Sequence, residues 1–275
     1  MNDIKYLEEK AHEIRTEMLN ACIATGTGHL TSSLSCVDIL VALYHGEIML
    51  HYPYDPDDKS RDRFILSKAH ASPALYAVLA DCGYFKKNKL LKTAKKDGIF
   101  GIHTQMDVPG IEITAGALGH GFGISVGMAL TAKRDRKGHL VFSLLSDGEC
   151  YEGSIWESAM FAANNNLNNL TAIIDRNYLC ATDFTEDFAP LEPLRDKWLS
   201  FGWIVEEIDG NNMSEIINSL KHVRSRRHSR PKVIIAKTVK GAGIDYICDS
   251  PLWHSSAPRG ADVIKCRKSL KEGRV

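Results

Sequence analysis

Two stretches decide the fold: Leu140-Val-Phe-Ser-Leu-Leu-Ser-Asp-Gly-Glu149 and Leu170-Thr-Ala-Ile-Ile-Asp-Arg-Asn177. Each is a near-continuous apolar run that stops at a carboxylate or carboxamide. Runs of this kind, without alternation, belong to strands covered on both faces. Between them, residues 154–164 carry apolar side chains at helical spacing. Working outward, residues 63–66, 203–208 and 233–236 read as further strands. Residues 4–24, 38–44, 72–81, 119–133 and 214–223 read as helices, and 86–96 as a lysine-rich solvated helix. Residues 98–116 have no period and read as a long functional loop. Strands alternating with helices predict an α/β fold, a doubly wound and mainly parallel sheet with helices on both faces, in a single domain over 1–275.

The chain has 275 residues, 44% of them apolar, and a formal net charge of zero. That balance points to neither nucleic acid nor a membrane surface. No stretch reaches the roughly 20 apolar residues that a membrane span needs. The seven cysteines are scattered singly, which fits reduced thiols in a cytoplasmic protein better than a disulfide framework or zinc site. The basic run from Lys221 to Arg230 reads as a solvated turn at a helix end.

In parallel α/β sheets, ligands bind at the carboxyl ends of the strands. Asp147 and Asn177 both stand there. Asp147 offers a hard anionic oxygen, Asn177 a neutral carbonyl, and the Leu179 backbone carbonyl a third. Such oxygens suit Mg2+, or Ca2+ or Mn2+, completed by phosphate oxygens and water. Gly148 lets a backbone N–H approach a phosphate, and the helix that follows points its amino end at that anion. An isolated Asp-Gly is a plain turn; Asp and then Asn at two strand ends is a stronger signal. Four histidines, His29, His70, His103 and His254, suit hydrogen bonding to an anion and proton traffic at a substrate oxygen. Glu149 and Glu152 fit the first turn of a helix, whereas Glu157 lies deeper.

These residues resemble the transketolases, and most closely the N-terminal subunit of transketolases split into two chains. Five blocks carry the likeness: Gly28-His29 with Ser33-Leu-Ser-Cys-Val-Asp38; Asp62-Arg-Phe-Ile-Leu-Ser67-Lys-Ala-His70; Gly116-Ala-Leu118-Gly119-His-Gly121; Asp147 to Asn177; and Trp253-His254 with Ala257-Pro258. The resemblance implies thiamine diphosphate and magnesium as cofactors, with Asp147, Asn177 and the Leu179 carbonyl on the metal. It implies His70, Gly148, Glu149 and His254 at the diphosphate, the Gly116 carbonyl on the aminopyrimidine, and Leu118 near that ring. His29, His70, His103 and His254 are the implied catalytic group; Glu152 and Glu157 are implied at an interface linking paired active sites. The reaction implied is transfer of a two-carbon ketol unit from a ketose or its phosphate to an aldehyde or unusual acceptor.

The family's activating glutamate lies in a pyrimidine-binding domain that has no counterpart in this sequence. The resemblance therefore implies a two-plus-two heterotetramer with a C-terminal partner subunit. The family usually has glycine where this chain has Thr31, Ala69, Ser146, Tyr178, Asp183 and Ser255, aspartate at Thr182 and lysine at Ala242. Side chains at Thr31, Ala69 and Ser255 are expected to narrow or reshape the pocket. An α-subunit of a 2-oxo acid dehydrogenase or carrier-acylating enzyme, and a non-catalytic scaffold subunit, remain as alternatives.

Overall fold

The two apolar runs lie side by side as parallel strands in the computed structural model, which describes residues 3–225 and 229–272. In chain order the elements are α1 (Ile4–Thr25), α2 (Leu30–Leu34), α3 (Val37–His45), β1 (Arg63–Leu66), α4 (Ser72–Asp81), α5 (His120–Arg134), β2 (Val141–Ser146), α6 (Gly153–Asn164), β3 (Leu170–Arg176), α7 (Thr185–Phe188), α8 (Leu194–Ser200), β4 (Ile204–Asp209), α9 (Met213–Lys221), β5 (Lys232–Lys237) and α10 (Ala261–Glu272). The sheet order is β1-β2-β3-β5-β4, and every pairing is parallel.

Why the strands read as unbroken apolar runs is visible in their packing. Phe142 and Leu144 of β2 face a core built with Ile14, Leu40 and Leu75 from α1, α3 and α4. Val141 and Leu145 face a second core with Phe122, Ile155 and Trp198 from α5, α6 and α8. Successive side chains point to opposite faces of a strand. With a helical layer on each face, both sets must be apolar.

Three differences from the sequence reading have local causes. The expected helix over 86–96 is only a 3-10 segment, Lys87–Lys92. The Thr93 hydroxyl bonds the Leu90 carbonyl, and Ala94 turns to φ 56° and donates its N–H to Phe100, so the helix cannot continue. Helices α2, α7, α8 and α10 were not expected from the sequence; α10, for example, buries only Cys266 and Leu270 and so shows little period. In the basic run, Lys221 ends α9 and Arg224 pairs with the buried Asp62, whereas Arg226, Arg227 and His228 lie outside the described residues. All seven cysteines are free of disulfides. No described helix is long and apolar enough to cross a membrane.

Candidate active site at the carboxyl ends of the strands

Asp147 directly follows β2 and Asn177 directly follows β3, so the register of two paired strands sets their separation. The Asp147 carboxylate is fully buried. One oxygen accepts from the Gly148 N–H at 2.7 Å; the other accepts from the Tyr178 N–H at 2.6 Å and from Arg176 at 3.2 Å. Burial, followed by repulsion from Asp175, pushes its pKa up to about 6 against the pull of Arg176. The Asn177 side-chain oxygen accepts from the Leu179 N–H at 3.2 Å. Tyr178, between them, sits at φ 63°, a left-handed conformation costly for a bulky residue. Its ring lies under the Arg176 guanidinium, 4.2 Å from the centroid. That φ accounts for the glycine the family usually has there.

A cavity of about 370 Å³ opens beside these strand ends. It is lined by His29, His70, His103, His254, Gly116, Leu118, Gly148, Asn177 and Leu179, so the structure gathers these nine expected residues in one place. The His29 ring stands at the centre of the imidazoles, 5.4 Å from His70, 6.0 Å from His103 and 5.4 Å from His254. Burial lowers the pKa of every one: His29 to about 4, His254 to about 3, His70 well below its ordinary value, and His103 below it. At neutral pH all four are uncharged rings able both to donate and to accept. His29 Nδ1 is buried with no hydrogen-bond partner among the described residues.

Other expected residues stand elsewhere. Glu149 is buried beneath the cavity wall, where its carboxylate accepts from the Ser67 hydroxyl at 2.5 Å and from the N–H groups of Gly119 at 2.8 Å and Ser146 at 3.2 Å. It binds the ends of β1 and β2 to the start of α5 rather than lining the cavity. Gly119 itself has φ 81°, and a Cβ there would come within 2.2 Å of the Ser154 hydroxyl. Glu152 and Glu157 are exposed at the start and on the outer side of α6, outside the cavity.

The expected narrowing by Thr31, Ala69 and Ser255 is not found. Thr31 is fully buried and donates to the Trp253 carbonyl at 3.0 Å, while Ala69 is buried and Ser255 exposed; none lines the cavity. Of the replaced glycines only Ser146 reaches the lining, with Thr182 beside it.

Several residues that the sequence reading passed over are central. Lys240, 1% exposed, lines the cavity and donates to the carbonyls of Leu179 at 2.9 Å and Cys180 at 3.1 Å. Burial lowers its pKa to about 8. Lys68 pairs with Asp175, and both are fully buried. Asp175 also accepts the hydroxyls of Ser35 and Thr238. Their partners are far off in the chain, so no local pattern marks them.

The donor set of Asp147, Asn177 and the Leu179 carbonyl is all oxygen, as a hard divalent cation requires. Among the described residues no group of three or more His, Cys, Asp or Glu could hold a metal by itself. A cation here therefore needs further oxygens from a ligand such as a diphosphate, and the neighbouring cavity with its neutral imidazoles and orphaned His29 nitrogen fits one.

A parallel sheet with oxygen ligands at two adjacent strand ends is the architecture of a thiamine-diphosphate-binding fold. The family model for the transketolase thiamine diphosphate binding domain matches residues 7–272, and the chain belongs to that family. It is 37% identical over 269 residues to an apulose-4-phosphate transketolase subunit of Phocaeicola vulgatus, covering 98% of this chain and 95% of that one. It is 40% identical to the 6-deoxy-6-sulfo-D-fructose transketolase subunit SqwG of a Clostridium species, covering 87% of each. The transketolase structure from Campylobacter jejuni superposes with a TM-score of 0.91 at 28% identity, covering 98% of this chain and 43% of that one. The chain is a subunit of a thiamine-diphosphate-dependent transferase of the transketolase type. The dehydrogenase and scaffold alternatives find no support among these relatives.

Proposed function

We propose that this chain is the diphosphate-binding half of a two-chain transketolase. It works in the cytoplasm in a two-plus-two assembly with a partner subunit that carries the pyrimidine-binding domain. The observation that carries the reading is that Asn177 and Leu179 line one cavity with four uncharged imidazoles, beside the strand end that carries Asp147. Asp147, Asn177 and the Leu179 carbonyl would hold Mg2+, and His70, Gly148 and His254 the diphosphate. The Gly116 carbonyl and Leu118 would meet the aminopyrimidine. When bound, thiamine diphosphate supplies a nucleophilic carbon and an electron sink for breaking the bond next to a carbonyl.

The chain's own groups would do the rest. His29 and His103, kept neutral by burial, hydrogen-bond a ketose hydroxyl and carbonyl and can pass a proton without first losing one. Glu152 and Glu157, exposed on α6, would meet the second half of the assembly. Both relatives above are named for sugars bearing an anionic group, a phosphate or a sulfonate, and we infer a ketose of that class here. The purified chain should bind thiamine diphosphate with Mg2+ in calorimetry and cleave no ketose donor. Co-purification with its pyrimidine-domain partner should bring ketol transfer, with a mass matching two copies of each chain. Donor cleavage by this chain alone would overturn the split-site reading.

A further inference from the structure

His70 and His103 reach the cavity from different parts of the chain, yet one helix meets both. His70 sits in the short turn Ala69–Ala71, which leads straight into α4. His103 sits in the aperiodic stretch 98–116. That stretch is pinned in the core at Phe100 and Val108, while residues 101–107 between them are partly or fully exposed except Thr104. Two hydroxyls of α4 reach into this interval. Ser72 donates to the Ile102 carbonyl at 2.9 Å, and Tyr76 donates to the His103 carbonyl at 2.7 Å. Among the described residues, no other hydrogen bond comes to residues 101–107 from outside the loop.

The two donors are four residues apart, so they share one face of the helix. Their acceptors belong to consecutive residues. A single bond would let the stretch swivel about it, whereas two bonds to adjacent carbonyls also fix its direction. The helix behind them is rigid: Ser72 and Tyr76 are fully buried, and Leu75 and Leu79 of the same helix lie in the core. The Tyr76 ring stacks on Phe100, 4.7 Å between centroids and 27° between planes. Burial pushes the Tyr76 hydroxyl above its ordinary pKa, so it keeps its proton and acts as the donor.

We propose that Tyr76, with Ser72 beside it, is a positioning residue: α4 is a common mount that sets His103 at a fixed place relative to His70, so that both imidazoles meet one ligand in the cavity. His29 lies between them, 5.4 Å from the His70 ring and 6.0 Å from the His103 ring. The sequence order serves the mount. His70 precedes Ser72 by two residues, so a shift of α4 would carry both imidazoles together.

The placement of His103 belongs to the chain alone, whereas its consequence for a ketose rests on the function proposed above, and the experiment separates the two. Tyr76→Phe removes the hydroxyl and keeps the ring on Phe100; Ser72→Ala removes the second bond with a residue that suits a helix. In carbon–proton spectra of the histidine-labelled, unliganded chain, each variant should move or broaden the His103 ring signals and leave those of His70 and His254 in place. Unchanged His103 signals in both variants overturn the proposal.

Ketol transfer by the assembly with its partner then tests the route of action. Tyr76→Phe should lower kcat/KM for the ketose donor roughly three- to tenfold, the worth of one neutral hydrogen bond, and change the affinity for thiamine diphosphate with Mg2+ by less than about twofold. In a His103→Ala background the same substitution should cost less than about twofold more, because the group it places is gone. A full second loss there, or a cofactor affinity that falls as far as kcat/KM, would mean general loosening and would overturn the positioning role. Absence of ketol transfer by the unsubstituted assembly would overturn the functional reading while leaving the spectra to judge the mount.

Discussion

Replacing Lys68 with methionine tests the buried charge pair that underlies the site. Lys68 and Asp175 are both fully buried and in direct contact. Burial pushes the Asp175 pKa up, but Lys68, Ser35 and Thr238 outweigh it and hold the group below its ordinary value. Removing one partner of a buried pair costs about 3–5 kcal/mol, since the remaining charge is uncompensated. Two hydroxyl bonds to Asp175 survive, from Ser35 and Thr238, which favours the lower end, about 3 kcal/mol. For a chain of this size that is a fall of roughly 6–12 °C in Tm. Lys68 also donates to the Ser32 carbonyl at 2.9 Å, and Ser32 lines the cavity, so ligand affinity should fall too.

The pH dependence has a definite sign. In the unsubstituted chain the Asp175 pKa is depressed, so its contribution is present above the ordinary aspartate pKa of about 4 and is lost as pH falls through the folded value. Without Lys68 the folded pKa rises, and the deficit should shrink as pH drops towards about 4, where the carboxyl takes up a proton. Urea denaturation at pH 7 and pH 5, followed by the fluorescence of the buried Trp198 and Trp203, measures both effects. A loss under about 1 kcal/mol at pH 7, or a deficit that grows on acidification, would refute the reasoning.

Further outcomes can be checked in the same preparations. Asp147→Ala should lower the affinity for thiamine diphosphate with Mg2+ by at least roughly tenfold in calorimetry while Mg2+ alone binds both proteins weakly, because the protein offers too few oxygens by itself. Tyr178→Gly should change stability by less than about 1 kcal/mol, as relief of a left-handed φ offsets the lost contact with Arg176, whereas Tyr178→Val should cost about 1–2 kcal/mol. The depressed values of His29, His70 and His254 mean that their neutral-state stability is complete above the ordinary histidine pKa of about 6.5 and is lost as pH falls below it. His29→Asn should therefore flatten the decline in denaturation midpoint between pH 7 and pH 5.

What could be read in advance was what repeats or is chemically rare. The strands were legible because a sheet covered on both faces must be apolar towards both, as Val141 to Leu145 are but for Ser143. Asp147 and Asn177 were legible because carboxylate and carboxamide stand where those runs stop, and the histidines because His29 follows a glycine-rich helix stop, His70 a strand end and His254 a tryptophan, while His103 lies in the aperiodic loop. Lys68, Asp175 and Lys240 were not, since each is explained by a partner on another element. Side-chain direction was equally hidden: Thr31 neighbours the pocket in sequence, yet its hydroxyl turns to Trp253. The segment 86–96 looked helical by composition, yet only Lys87–Lys92 turns, and Thr93 with the left-handed Ala94 ends it.

The sheet order bears on how the site comes into being during synthesis. β5 is the last strand made, yet it inserts between β3 and β4, which precede it. Until residue 237 and its successors are available, β3 has an open edge on its β5 side, Asp175 lacks Thr238, and the Leu179 carbonyl lacks Lys240. Pairings of this kind, with large sequence separation, close slowly because loop entropy must be overcome first. A nascent chain can thus hold its α1, α3 and α4 layer early while the metal-loop wall waits for the final strand. Assembly of the ligand-holding wall becomes a late checkpoint, and a truncated or stalled product lacking β5 would carry an exposed strand edge in place of a site.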